Sequence, residues 1–112
     1  MKKSEQIAIN EKVEQAHEDF YSYLAEFEGD IVEKRLRTMS ARVRDCEDGK
    51  YYYLISYNTV VAIIDKETDT LYDFLRLVYG YTATSAKHIS AFGHDYGQGK
   101  WDCAERLTWR EV

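Results

Sequence analysis

The sequence predicts an α+β fold in which one long helix packs on an antiparallel β meander. Two observations predict this fold: helical spacing of apolar residues in the first 30 residues, and β-rich runs separated by turn signals in the middle. The chain has no proline, so Gly, Asn and Asp should make the turns. We expect three to five strands and a short helix near residues 84–92. The 112 residues are expected to form a single domain, 1–112, because one hydrophobic core usually occupies a chain of this size.

The N-terminal helix is predicted over residues 4–28, because its apolar residues recur at steps of three and four and so form one stripe. Ser4 is a suitable N-cap, and Gly29 is a suitable residue to end the helix. The stripe has to be covered, either by a sheet or by a second copy of the helix. Its residues are Ile9, Val13, Ala16, Phe20, Tyr23, Leu24 and Phe27.

The meander is predicted over residues 41–74. Its first strand, Ala41–Cys46, alternates so that Arg42 and Arg44 share one face. Asp48-Gly49 is then a strong hairpin signal. The next strands are expected at Tyr51–Tyr57, at Thr59–Asp65 and from Thr70 onward, with Tyr57-Asn58 as a second tight turn.

Two segments fit more than one structure. Asp30–Met39 has weak helical spacing, which is consistent with a short second helix. Leu71–Tyr79 fits both a helix and a strand, and we favour a strand for Leu71–Phe74.

A second amphipathic segment follows Gly80. We expect a helix over residues 84–92, capped by Thr82 or Thr84 and closed by Gly93. A loop should follow, and residues 101–109 are a candidate edge strand.

Composition excludes several classes of protein. Hydrophobic residues make up 45% and charged residues 31% of the chain, as in ordinary globular proteins. No apolar run approaches the ~18 residues that a membrane span needs, and the N-terminus has no pattern of a secretion signal. We therefore expect a cytoplasmic protein with no membrane contact.

The sequence contains no motif of a catalyst or a metal site. Cys46 and Cys103 are far apart, whereas zinc ligands usually occur as tight pairs, and His88 and His94 add no such pair. Acidic neighbours of both cysteines should raise the pKa of each thiol and so disfavour the reactive thiolate. No phosphate-binding loop, dinucleotide-binding motif or serine nucleophile motif is present. We therefore expect a protein that is not an enzyme and that holds no metal and no cofactor.

The net charge of −5 is unevenly distributed, with acidic blocks over residues 1–30 and 45–75. Acidic surface beside tyrosines is suited to binding the basic groove of another protein. We predict such a partner-binding role, and a homodimer remains open. The candidate contacts are the helix acids Glu11, Glu14 and Glu18, the turn acids Asp65, Glu67 and Asp69, and the tyrosines Tyr52 and Tyr72.

The basic band from Lys34 to Arg44 supports an alternative function. Clustered arginines can bind the phosphates of a nucleic acid, so the chain could be a small nucleic-acid-binding regulator. The sequence pI of about 5.2 makes this partner less favoured, and pairing of the band with the acidic face of the N-terminal helix explains it as well. The alternative contacts are Arg35, Arg37, Arg42 and Arg44.

The start of the second predicted helix is rich in hydroxyl groups. Such a helix start beside a cation can hold an anion or contact a partner, although simple helix capping is the more frequent role. The residues concerned are Thr82, Thr84, Ser85, Lys87 and His88.

Two segments of the chain, SYNTVVAIID over residues 56–65 and YTATSAKHISAF over residues 81–92, resemble a small domain found in phage and mobile-element proteins. In that domain a strand with the pattern SYxTxVA precedes a helix start with the pattern YSxTTxKHIxxF. This chain departs from the pattern at Thr82, which replaces Ser, and at Ala83-Thr84-Ser85, which replaces the Thr pair. The resemblance covers about residues 50–96.

The family that carries this domain has no assigned activity. The resemblance implies a phage or mobile-element protein that acts in the cytoplasm of a bacterial host cell. It further suggests an inhibitor of host defence, similar to anti-CRISPR proteins, whose partner is a Cas effector or another host nuclease.

Overall fold

The computed structural model describes residues 2–99 and 102–112. The predicted α+β fold is confirmed. Within the described residues, none of the helices combines the length and the apolar character that crossing a bilayer requires. In chain order the elements are α1 (Lys3–Glu26), β1 (Ile31–Arg35), β2 (Ala41–Cys46), β3 (Tyr51–Ser56), β4 (Thr59–Asp65), β5 (Thr70–Asp73), α2 (Leu75–Val78), α3 (Ala83–Tyr96) and β6 (Glu105–Thr108).

The strands form one six-stranded sheet in the order β1-β2-β3-β4-β5-β6, one strand more than we predicted. Neighbours from β1 to β5 are antiparallel, whereas β6 is parallel to β5. A parallel neighbour needs a crossover connection, and the chain through α2 and α3 provides it. The candidate edge strand over residues 101–109 is therefore present as β6, although its first residue, Trp101, lies outside the described residues.

Both predicted tight turns are present. Asp48 has a positive φ of 58°, and Tyr57 and Asn58 have φ values of 51° and 66°. Two successive residues with positive φ form the type I′ turn that suits the twist of a hairpin.

The expected short helix at Asp30–Met39 is wrong, because most of this segment is β1. Ile31 and Val32 are β-branched and favour a strand, and the segment pairs with β2 over its whole length. The Leu36 N–H donates to the Ala41 carbonyl at 2.9 Å and closes the hairpin. The long-range pairing with β2 therefore outweighs the weak helical spacing.

Helix α1 covers one face of the sheet, so the stripe packs on β strands. Val13 and Phe20 are fully buried there in a cluster with Tyr51 and Tyr53. The helix already begins at Lys3, so Ser4 lies inside it and is not the N-cap.

The C-terminal end of α1 comes two residues earlier than we predicted, at Glu26. Phe27 is already extended, with φ −70° and ψ 124°, and its ring stacks on that of Tyr23 with centroids 5.5 Å apart. The helix thus ends where Phe27 leaves it, before Gly29.

Helix α3 covers the opposite face, where Ile89 and Phe92 pack in a cluster with Leu54 and Ile64 of the sheet. It is longer than the predicted 84–92 helix, because Gly93 continues it. A Cβ at Gly93 would lie 3.0 Å from the Cδ1 atom of the buried Leu71, so glycine allows close packing here and does not end the helix.

Strand β6 is attached to α1 by two buried amide side chains. The Gln6 Nε2 donates to the Thr108 carbonyl at 3.0 Å. Asn10 both donates to the Arg110 carbonyl at 2.6 Å and accepts from the Arg110 N–H at 3.0 Å. These bonds replace strand pairing for the backbone that follows β6.

Candidate partner-binding surface

One flank of α1, about 100° around the helix from its buried stripe, carries a row of exposed residues at alternating steps of four and three. We call this row the α1 outer ridge: Ile7, Glu11, Glu14, Glu18 and Tyr21. Ile7 is 40% and Tyr21 43% exposed. At a rise of 1.5 Å per residue the ridge extends over about 21 Å, with apolar side chains at its ends and three carboxylates between them.

The three ridge carboxylates are free of ion pairs with the cations of the described residues. Glu11 and Glu14 are three residues apart and Glu14 and Glu18 four, so they repel each other at a cost of about 0.2–0.5 kcal/mol per pair. The ridge is therefore slightly unfavourable for folding and fully available to an external cation.

The predicted turn acids have a different role. Asp65 is only 8% exposed; one of its oxygens accepts the Glu67 N–H at 2.9 Å and the other lies 3.6 Å from Lys50 Nζ. Asp69 accepts the backbone N–H of Gln98 at 2.9 Å and that of Ala104 at 2.8 Å. Both carboxylates therefore stabilise loops, and only the exposed Glu67 is left for a partner.

The predicted tyrosine contacts lie away from the ridge. Tyr52 is on the α3 face, where it packs against Tyr96 and beneath Lys66 Nζ, 4.3 Å from its ring centroid. Tyr72 lies on the α1 face in a cleft of about 280 Å³ that Asp65 and Lys50 also line. Burial raises the pKa of Tyr72, and neither tyrosine is a neighbour of the three ridge carboxylates.

The arginines of β1 and β2 share the sheet face on which α1 packs, but α1 lies mainly over the other end of the sheet. Arg44 Nε donates to Glu33 Oε1 at 2.9 Å, and Arg42 Nη1 lies 3.8 Å from the other oxygen of Glu33. Arg35 donates to the carbonyls of its own loop, at 3.0 and 3.1 Å. We call Arg35, Arg42 and Arg44 the arginine face.

The fourth predicted arginine lies elsewhere. Arg37 forms a bidentate pair with Asp95 of α3, at 2.7 and 2.8 Å. This hydrogen-bonded pair lowers the pKa of Asp95 to about 2. The basic band is thus paired internally, but with Glu33 and Asp95 and not with the acidic side of α1.

The hydroxyl-rich start of α3 is occupied by the protein itself. The Thr82 side chain caps the helix by accepting the Ser85 N–H at 3.2 Å, so Thr82 and not Thr84 is the cap. Ser56 of β3 is hydrogen bonded to Ser85 Oγ at 3.0 Å and to His88 Nδ1 at 2.9 Å.

Ser56, Ser85 and His88 are between 1% and 3% exposed, and burial lowers the pKa of His88. Thr84 and Lys87 are exposed. The two segments of the family resemblance therefore meet in a buried polar cluster that ties α3 to the sheet, and its Ser–His pair is closed to a substrate.

Neither cysteine thiol has the lowered pKa that a reactive thiolate needs. Burial raises the pKa of Cys46, and burial together with Asp69 and Asp102 raises the pKa of Cys103 to about 12. No cluster of three or more metal-ligating side chains occurs in residues 2–99 and 102–112.

The spacing of Ile7, Glu11, Glu14, Glu18 and Tyr21 was visible in the sequence. Ile7 and Tyr21, the apolar ends of the ridge, were not predicted as contacts, because an apolar residue on an amphipathic helix is normally assigned to the buried side.

Comparison with known proteins adds no relative: no family model, curated protein or solved structure matches the chain.

Proposed function

We propose that this protein is a binding protein that inhibits a host nuclease or another nucleic-acid-handling protein, as anti-CRISPR proteins do. It would present the α1 outer ridge to a basic groove of that partner. The observation that supports this choice is which charged side chains already have a partner within the chain. The ridge carboxylates have no intramolecular cation among the described residues, whereas each arginine of the basic band has an internal partner.

The ridge has the features of a helix that binds in a groove. Its carboxylates follow each other at rises of about 4.5 and 6 Å, wider than the rise of about 3.4 Å per phosphate along one strand of a duplex, so the ridge offers a row of negative charge and not a copy of the phosphate spacing. A row of unpaired negative charge accelerates association with a positively charged groove. Ile7 and Tyr21 would supply the apolar anchors that charged contacts lack.

The decisive experiment compares two variants with the same change of net charge. Glu11→Lys/Glu14→Lys/Glu18→Lys reverses the ridge, and a control reverses three other exposed acids, Glu28→Lys/Glu105→Lys/Glu111→Lys. Each is immobilised beside the wild type and exposed to nuclease-treated bacterial lysate. Bound protein is then eluted with duplex DNA.

We expect wild type and control to retain a nucleic-acid-handling protein that duplex DNA releases, and the ridge variant to lose it. Equal retention by all three proteins, or equal loss by both variants, would show that the ridge is not the interface. Once the partner is purified, ridge reversal should slow association several-fold at low salt and less at high salt. Tyr21→Ala should mainly speed dissociation.

The arginine face supports a second candidate, a small nucleic-acid-binding regulator. Arg42 and Arg44 share the single carboxylate of Glu33, so this open part of the sheet keeps positive charge that could contact phosphates. The neighbouring cleft of about 460 Å³ includes Arg35, Arg42 and the exposed Tyr57.

Fluorescence anisotropy with labelled single-stranded and duplex oligonucleotides separates the two functions. We expect binding weaker than ~10⁻⁶ M at physiological salt, the tight limit of non-specific binding. Tighter binding that Arg42→Ala/Arg44→Ala abolishes, and that the control Lys87→Ala/Arg110→Ala leaves intact, would favour the regulator.

A further inference from the structure

We propose that two copies of this chain associate through β1, in the register that places Val32 opposite Val32 of the second copy. The first observation is that β1 is an open edge of the sheet, since it pairs with β2 alone. Helix α3 packs mainly on β3 and β4, and α1 on β3, β5 and β6. Both faces of the sheet next to β1 therefore leave room for an added strand.

The backbone hydrogen bonds identify the groups that face outward. The Leu36 N–H donates to the Ala41 carbonyl, and the Asp30 carbonyl accepts from the Glu47 N–H. Because backbone groups alternate along an antiparallel strand, the even-numbered residues between Asp30 and Leu36 face β2. The N–H and C=O groups of Ile31, Glu33 and Arg35 then face outward, unpaired within this sheet.

The outward-facing backbone groups belong to odd-numbered residues. Two antiparallel copies of β1 can therefore form hydrogen bonds only in registers that set odd-numbered residues opposite each other. Centring the pair on Glu33 sets two glutamates opposite each other. Centring it on Lys34 sets two lysines opposite each other; it also sets Glu33 opposite Arg35, but these side chains already bond Arg44 and the carbonyls of Thr38 and Met39 within their own chain. Both arrangements are destabilising in a sheet. Centring on Ile31 forms no ion pair between the strands.

The register centred on Val32 sets no like charges opposite each other. It brings the Val32 side chains together in a non-hydrogen-bonded pair, where side chains are closest. It also sets Asp30 opposite Lys34 of the second copy, and does so twice because the interface is isologous.

The surroundings of Asp30 and Ile31 support the same register. Asp30 lies opposite Glu47 of its own sheet, joined to it by a backbone hydrogen bond of 3.0 Å, and both side chains are exposed. Lys34 of the second copy would therefore bring a positive charge close to the carboxylates of both Asp30 and Glu47. Ile31, 44% exposed, would be partly covered by Glu33 of the second copy.

The predicted contact is small. It involves about five residues of each strand and so falls below the ~1,200 Å² typical of stable complexes. The dimer should therefore be weak and concentration dependent. Since antiparallel pairing keeps equivalent faces on the same side, the two arginine faces would lie on one surface of the extended sheet.

Sedimentation equilibrium from about 10 µM to 1 mM, a range suited to weak complexes, tests the pairing. We expect the wild type to dimerise reversibly in this range. Asp30→Lys alone and Lys34→Asp alone should each weaken dimerisation at least about tenfold, because each reversal acts at both symmetric pairs. The double variant Asp30→Lys/Lys34→Asp restores opposite charges and should recover the wild-type affinity.

Glu67→Lys, an equal charge change far from β1, serves as the control and should leave dimerisation unchanged. Circular dichroism establishes that each variant is folded. A wild type that stays monomeric at 1 mM, a double variant that does not recover, or a control that weakens the dimer as much as Asp30→Lys would each refute the proposal. The α1 outer ridge is not part of this interface, so the outcome is independent of the proposed function.

Discussion

Phe20 joins α1 to the sheet, and its replacement by alanine measures how much that contact contributes to stability. The side chain is 0% exposed. Its ring meets those of Tyr51 and Tyr53 with centroids 5.3 and 5.1 Å apart. Truncating a buried phenylalanine to alanine costs about 3–5 kcal/mol, and the loss of two aromatic contacts favours the upper part of that range.

Urea unfolding followed by circular dichroism measures this loss. A small domain is stable by about 5–15 kcal/mol, and the slope in urea is about 1–3 kcal/mol per molar. Phe20→Ala should therefore lower the midpoint by roughly 2 M. If the variant is too unstable to measure, Phe20→Leu should show a smaller loss in the same direction.

Tyr21→Ala is the matched control, because the next residue of the same helix is 43% exposed. Its loss should stay below about 1 kcal/mol, as at most surface positions. A loss below about 1 kcal/mol for Phe20→Ala, or equal losses for the two variants, would show that the stripe of α1 does not pack on the sheet as described.

Three further predictions concern pH, the thiols and the packing of α3. Burial lowers the pKa of His88 and of His17 below 6.5, so the unfolded chain binds these protons first as the pH falls. The free energy of unfolding should be constant above about pH 7 and should decrease below pH 6.5 by at most about 1.4 kcal/mol per pH unit for each histidine. Urea melts between pH 8 and 5 measure this, and replacing His88 with asparagine should reduce the slope. Cys46 and Cys103 should react with a thiol reagent at neutral pH far more slowly in the native protein than in urea, because their raised pKa values keep both protonated; equal rates would contradict this. Gly93→Ala should lower the melting temperature, although alanine normally stabilises a helix interior by about 1 kcal/mol relative to glycine; a higher melting temperature would show that the close packing is absent.

Elements whose signals are local could be predicted from the residues alone. Helix α1 follows from a period of three and four residues that continues over most of its length. In the turns at Asp48-Gly49 and Tyr57-Asn58, Asp48 and Asn58 are residue types that tolerate positive φ, and both have it in the structure. The helical phase that buries Phe20 also places the acids of the outer ridge in solvent, so that surface could be predicted from the sequence.

Features that depend on contacts between distant residues become visible only in the folded chain. Segment 31–35 is a strand because β2 pairs with it. Strand β6 is parallel because the chain crosses over through α2 and α3, and Gln6 and Asn10 attach it to α1 across about 100 positions. Arg37 acquired its partner Asp95 in the same way, across 58 positions.

The same distinction between local and long-range information applies to the candidate contact residues. Asp65 and Asp69 look like free turn acids in the sequence, yet backbone N–H groups occupy them in the fold. Backbone N–H groups in turns and loops have no partner in a helix or strand. In this protein the nearby carboxylates of Asp65 and Asp69 accept their hydrogen bonds. Residue type and spacing therefore predict where a charge lies along an element, whereas only the packed chain decides whether that charge is already used.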